Sequence, residues 1–195
     1  MDTYVDASYM QYLDGKPYMM PVSPWFYTNL HGYKKNWVWN GDHLWYERWE
    51  QVLYLQPEWV EIISRNDYGE SHYIGPLHEN AMAAFESGNG PYNYVMAYMH
   101  EGWQVFLLYV IDLYKTGTAT ITQEVVQVWY RRAPGAACTN DGTSGNTASQ
   151  FQVEFPPTEV LKDEVFFSAL LGSPAGLQCR HVDHATPVSP LVRSE

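Results

Sequence analysis

GDHLWYERWEQVLYLQPEWVEIIS, residues 41–64, reads as a helix delivering the chain straight into a strand. The Asp42 carboxylate is expected to cap the helix, accepting free N–H groups of its first turn. Trp45, Trp49, Val52 and Gln56 recur at helical spacing with Leu53 beside them, giving one apolar stripe, and Pro57 marks the stop. Residues 59–64 then run apolar with little alternation, Glu61 excepted. That pattern predicts a parallel strand buried on both faces. Upstream, residues 18–23 form a short apolar strand interrupted by Pro21, and Pro24 breaks into a loop rich in aromatic residues. Downstream, HENAMAAFES (78–87) is a weak helix, GNGP (88–91) a turn, and HEGWQVFLLYVIDLYKTG (100–117) the strongest helix in the chain. Trp103, Phe106 or Leu107, Val110 and Tyr114 share one side of it, with Gly117 as C-cap. Strand, helix, strand, helix, helix is the order of an α/β fold with a parallel sheet.

The pattern changes at Thr116. In TATITQEVVQVWYRR (118–132) Val126, Val128 and Tyr130 alternate onto one face. NDGTSGNTASQ (140–150) is a turn-forming loop, and FQVEF (151–155) alternates again. An antiparallel, sandwich-like region is expected here, packing by itself. The organisation read from these patterns is an α/β part over 1–115, a β-rich part over 116–176 and an unpatterned tail over 177–195.

Composition narrows the function. The chain of 195 residues has 46% hydrophobic residues, enough for a core, and aromatics reach 16%, with 16 Tyr and 8 Trp. Flat rings with polar tips suit a cleft that stacks sugar rings. Eleven basic against 22 acidic residues leave a net charge of -11, and no basic cluster exceeds the pairs at 34–35 and 131–132. Nucleic acid and anionic lipid are therefore excluded as partners. The longest apolar run, VFLLYVI, is far below the roughly 18 residues of a membrane span. MDTYVDASYMQYLDGK lacks the apolar stretch of a signal peptide. No Gly-rich phosphate loop or Cys/His ligand pattern occurs, so neither cofactor nor metal is expected. HVDH (181–184) has metal-ligand spacing but sits in the tail, and Cys138 and Cys179 are candidates for a bridge.

The chemistry sits where the strand at 59–64 ends, in SRNDYGES (64–71). Substrates of βα folds bind at the C-terminal ends of the strands. Asp67 and Glu70, three apart across a Gly-containing turn, can reach one cleft. Two carboxyl groups sharing a cleft push their pKa values apart, so one can donate a proton while the other stays ionised. Glycoside hydrolysis needs that pair. Two solvated loop acids would give the same spacing.

Longer stretches carry a resemblance. YMMPVSPWFYTNLHGYKKNWVWNGDHLWYERW (18–49), LQPEWVEIISRNDYGESHYIGP (55–76), GWQVFLLYVIDLYKTGTATITQE (102–124) and GNTASQFQVEFPP (145–157) resemble the fungal α-1,3-glucanases (mutanases) of glycoside hydrolase family 71. The resemblance implies part of a (β/α)8 barrel followed by a β-rich region, in secreted enzymes that cut α-1,3-glucan with inversion. It implies Asp67 and Glu70 as the catalytic pair, without saying which is the acid. Trp25, Phe26, Tyr27, Asn29, Arg65, Asn66, His72 and Tyr73 would bind substrate. Arg65 stands where the family has Trp, and its charge is expected to lower the pKa of a neighbouring carboxyl. A monomer acting on a polysaccharide is expected. The alternatives are a carbohydrate-binding remnant that has lost its chemistry, and a plain structural module. Binding to α-1,3-glucan without release of sugar would select the remnant.

Overall fold

The computed structural model describes residues 3–138 and 155–173. It is a mixed α/β fold in which helices alternate with three two-stranded sheets. Among the described residues no sheet closes into a barrel and no two sheets form a sandwich.

The chain opens with a helix the sequence reading did not anticipate, α1 (Tyr4–Leu13), closed by Asp14 in the left-handed conformation. Most of its apolar side chains are exposed, and the one it buries is charged, Asp6. Strand β1 (Met19–Val22) follows. Where an aromatic loop is expected, the chain forms a hairpin, β2 (Tyr27–Leu30) against β3 (Lys35–Val38), with Lys34 left-handed at the turn. The reading failed there because TNLHGYKKNWVW has no short Asn-Gly or Asp-Gly turn to mark the reversal.

Helix α2 (Leu44–Leu55) buries Trp45, Trp49 and Val52 as expected. Gln56 is not on the stripe. It is the left-handed C-cap, its N–H donating to Val52 O. Nor does Asp42 cap the helix: its carboxylate accepts from Arg131 Nη2 at 2.5 Å and from the Lys162 N–H at 3.2 Å. A guanidinium partner gives a charge-assisted bond that a helix N–H does not match.

Strand β4 (Trp59–Ile62) pairs in parallel with β1, from Met19↔Trp59 to Val22↔Ile62. Pro21 lies inside this ladder opposite Glu61. The expectation of burial on both faces is corrected, because Trp59 and Glu61 are exposed while Val60 and Ile62 are half-buried. The core they pack against includes side chains of α2 and of α4 (Leu107–Thr116). Between β4 and α4 come a short helix α3 (Ala83–Ser87) and a 3-10 turn at Glu101–Gln104. Gly117 ends α4 at φ 73, as a C-cap that needs the left-handed region should.

Beyond α4, β5 (Val125–Tyr130) and β6 (Val165–Leu170) pair antiparallel, with a short helix α5 (Pro157–Val160) before β6. Alternation in β5 is as expected, and its inner face is the one opposite these three: Val126, Val128 and Tyr130 are exposed, and Gln127 and Trp129 are buried. The indole decides it. Trp129 donates from Nε1 to Asp42 O at 2.9 Å and lies 5.2 Å from the Trp103 ring. Trp129 and Phe166 join Trp45, Trp49, Val52 and Trp103 in one core cluster, so this ribbon packs on the α/β part rather than by itself. The strand expected at 151–155 lies outside the described residues except Phe155, as do the tail, the HVDH stretch and Cys179.

A buried polar network ties α1, β1 and α2 together. Arg48 Nη1 and Nη2 each donate to Asp6 at 2.6 Å, Nη1 also to Gln51 Oε1 at 2.7 Å, and Nε to Pro21 O at 2.9 Å. Tyr18 donates its hydroxyl to Asp6 at 2.6 Å. Burial is the largest single influence on Asp6 and pushes its pKa up. The bonds from Arg48 and Tyr18 together outweigh it and hold Asp6 below the usual carboxylate value.

Candidate active site

The loop after β4 is held in shape by its own backbone. The Ser64 N–H donates to His72 O at 3.0 Å, Ile74 N–H to Ser64 O at 2.9 Å, and Gly75 N–H to Arg65 O at 2.9 Å. Tyr68, buried at the loop's turn, donates its hydroxyl to Pro76 O at 2.8 Å. Neighbouring elements clamp the loop from the side: Tyr27 N–H donates to Glu70 O at 3.2 Å, Trp25 Nε1 to Ser71 O at 2.8 Å, and the Tyr94 hydroxyl to Gly69 O at 2.6 Å.

This frame brings Asp67, Glu70 and His72 together, with one oxygen or nitrogen of each within 4.8 Å of the others. The Glu70 N–H donates to Asp67 Oδ1 at 3.2 Å, and the Asp67 N–H to Ser64 Oγ at 2.9 Å. Glu70 is gripped from two sides. His72 Nε2 lies 3.0 Å from its Oε2, and the Lys35 ammonium, on β3, bonds its Oε1. The His72 hydrogen bond, with the bond and charge of Lys35, outweighs burial and lowers the Glu70 pKa from 4.5 to about 2. Glu70 is therefore ionised at any ordinary pH. Asp67 is freer: its side chain is 47% exposed against 20% for Glu70, and its Oδ2 lies 3.8 Å from His72 Nε2. His72 is buried, and its Nδ1 has no hydrogen-bond partner among the described residues. That pattern fits Nε2–H donating to Glu70 and Nδ1 left as an unused acceptor.

Two acids and an imidazole at this spacing can also ligate a divalent cation. Lys35 weakens that alternative, since its ammonium already takes one Glu70 oxygen. The arrangement is suited to proton transfer, with one carboxylate fixed in the ionised state and a second one accessible.

The other expected site residues divide. Phe26 is buried, stacked on His72 at 5.6 Å, on Trp37 at 5.6 Å and on Trp39 at 4.5 Å. Tyr27 is half-buried, edge-on to Tyr94 at 4.9 Å. The Asn29 N–H donates to the Tyr94 hydroxyl oxygen at 3.1 Å, and the buried Asn29 Oδ1 has no partner among the described residues. Asn66 is exposed. Tyr73 does not line a cleft: it is fully buried, its hydroxyl donating to Tyr98 O and its ring stacked 3.9 Å from His100. Trp25 faces a different hollow, edge-on to His100 and Trp103 at 5.1 and 5.2 Å.

Arg65 needs a correction. Its side chain lines a separate hollow with Ile62, Ile74 and Gln104, and the groups that lower the Glu70 pKa are His72 and Lys35 instead. Sequence reasoning missed Lys35, Trp37 and Trp39. The signal for the rings was alternation: Trp37 and Trp39 are two apart, and the Trp39 N–H donating to Phe26 O at 3.1 Å prolongs the hairpin ladder.

Comparison with known proteins bears on what this cluster does. The family model for glycosyl hydrolase family 71 matches residues 1–189. A mutanase of Penicillium rubens is 40% identical over 188 residues, which is 95% of this chain and 39% of the mutanase. A glucan endo-1,3-alpha-glucosidase of Schizosaccharomyces pombe is 37% identical over 155 residues, 78% of this chain and 32% of that protein. An ascus wall endo-1,3-alpha-glucanase of the same yeast is 39% identical over 104 residues, 53% of this chain and 23% of its own length. The chain thus spans less than two-fifths of the length of these relatives. No solved structure matches. With nearly its whole length covered by the family model, the chain belongs to glycosyl hydrolase family 71.

Proposed function

We propose that this chain carries the acid–base pair of an enzyme that hydrolyses α-1,3-glucosidic bonds in α-1,3-glucan. The observation that carries the reading is Glu70, held ionised by His72 and Lys35 beside the accessible Asp67 at the end of a parallel strand. Asp67 acts as the acid, giving its proton to the glycosidic oxygen as the bond from C1 breaks. Glu70 acts as the base, taking a proton from the water whose oxygen bonds to C1. The configuration at C1 inverts.

An inverting pair stands about 6.5–9.5 Å apart to admit that water, and Asp67 and Glu70 approach within 4.8 Å. Inversion therefore requires Asp67, exposed and held by fewer bonds, to move outward as sugar enters while Glu70 stays clamped. The stacked rings of Phe26, Trp37 and Trp39 lie beside His72, with Trp39 at 40% exposure offering a face to a glucose ring. Tyr27 and Asn29 on β2 and Asn66 in the loop after β4 contribute hydrogen bonds.

In this reading β1 and β4, with α2 and α4 against them, are part of a (β/α)8 barrel over residues 1–115, and the β5–β6 ribbon opens a β-rich region over 116–176. A wall polymer as substrate implies work outside the cell, by a monomer. The remaining length that the relatives have supplies further cleft walls, which orient the bond to be cut.

The test grafts residues 1–173 in place of the matching segment of the Penicillium rubens mutanase and incubates the hybrid with insoluble α-1,3-glucan. Reducing ends are expected to appear, with the β-anomer first in proton NMR. An α-anomer first would make Glu70 a direct nucleophile rather than a base. Firm binding with no sugar released would leave only the carbohydrate-binding alternative.

A further inference from the structure

We propose that the hollow between the 97–103 segment and β5 is a second carbohydrate site, taking a neutral glucosyl unit of the same polymer. This rests on the glucan reading above. The hollow has a volume of about 290 Å³ and is lined by Trp25, Tyr98, Trp103, Gln127, Trp129 and Arg132. That is near the lower end of the range for small-molecule sites, room for a ring or two. Trp25, Tyr98, Trp103, Trp129 and Tyr130 bring rings to its walls, which suits the apolar faces of a pyranose.

The polar groups are few and placed. Gln127 is buried, and its Oε1 has no hydrogen-bond partner among the described residues. A buried acceptor without a donor is costly, and it belongs to a residue that lines the hollow. At the lip, Arg132 bonds the Tyr98 hydroxyl and its guanidinium lies 5.3 Å from the centre of the Tyr98 ring. The guanidinium is thereby anchored at the lip, and it has further N–H donors that can meet hydroxyls. His100 also borders the hollow. Burial lowers its pKa to about 4, so it adds no charge at neutral pH. One pre-engaged cation in a chain of net charge -11 favours a neutral ligand over an anionic one.

The hollow is joined to the carboxylates by structure. Trp25, one of its walls, donates from Nε1 to Ser71 O at 2.8 Å, and Ser71 stands between Glu70 and His72. A polymer held at both places gains from the second contact being intramolecular.

The test titrates nigerotetraose, four α-1,3-linked glucose units, into the Glu70→Gln chain, followed by calorimetry. Arg132→Ala and Tyr98→Ala are then added separately to that background, with near-UV circular dichroism as a check on folding. Each is expected to raise Kd about tenfold, the size of one lost hydrogen bond or ring contact. Unchanged affinity in both, no binding of nigerotetraose, or tighter binding of an acidic tetragalacturonate would overturn the site. Binding that depends on Arg132 and Tyr98, with no sugar released by the grafted wild-type segment, would remove the cleavage reading and leave this one standing. Cleavage with binding indifferent to both substitutions would do the reverse.

Discussion

Asp67→Asn and Glu70→Gln, each placed in the segment grafted into the Penicillium rubens mutanase, are expected to lower glucan cleavage by roughly 10²–10⁴-fold. Binding of insoluble α-1,3-glucan should stay within a few-fold of the unsubstituted hybrid. Each change keeps the shape of the side chain and removes its capacity to exchange a proton. The two should differ in side effects. Glu70→Gln also leaves Lys35 and His72 without the anion they both bond, so a local change in stability accompanies the loss of rate. Asp67, whose side chain is about half exposed and has no cation clamped on it, should give the rate effect nearly alone. Reducing-end release measured at saturating glucan separates the cases. Undiminished cleavage by either variant would remove that residue from the pair.

The second large effect lies away from this site. Asp6→Ala should destabilise the chain by about 3–5 kcal/mol, because it strands the Arg48 guanidinium in the interior with only Pro21 O and Gln51 Oε1 as acceptors. The buried pair is not itself worth that much. Taking two charges out of water offsets most of their attraction, so the cost of the single change is chiefly that of the orphaned cation. Asp6→Ala combined with Arg48→Met should therefore recover most of the loss. Urea denaturation of the two single variants and the double gives the cycle. A loss below about 1 kcal/mol for Asp6→Ala would mean the network does not join α1 to α2.

Both effects depend on residues that the sequence reveals unequally. Asp67 and Glu70 lie three apart in one turn, so their meeting is a local matter and could be read from SRNDYGES. The stripe of Trp45, Trp49 and Val52 and the parallel pairing of residues 59–62 with 19–22 were legible for a similar reason: helical spacing and a connecting helix say which way the chain returns. Lys35 was not legible. A lysine in a Lys-Lys pair reads as solvated, and only the β2–β3 hairpin carries it 35 residues forward in sequence to Glu70.

Arg48 shows the same limit from the other side. It sits next to Trp49 on a helix whose polar positions look solvent-facing, yet it is buried because α1 brings Asp6 to it. Alternation in β5 fixed the period but left the choice of face open. The bulk of Trp129 and its bond to Asp42 O made that choice. Asp42 itself had the right residue type for a cap, and a guanidinium from the β5–β6 ribbon claimed it instead.

The claim on which the site's chemistry turns is that Glu70 is locked in its ionised form by His72 and Lys35. It can be measured in this chain directly, by labelling the glutamate side-chain carboxyl carbons with 13C and following the Glu70 resonance as acid is added, with Glu70→Gln assigning the peak. A depressed pKa means that the native state gains stability from the ionised group above the ordinary value of 4.5, and loses it progressively as pH falls toward 2. The resonance should therefore stay at its ionised position through 4.5 and move only near 2, or with acid unfolding if that comes first, and Lys35→Met should raise its midpoint. A Glu70 resonance that titrates in the folded protein at 4.5 or above, indifferent to Lys35→Met, would contradict the account.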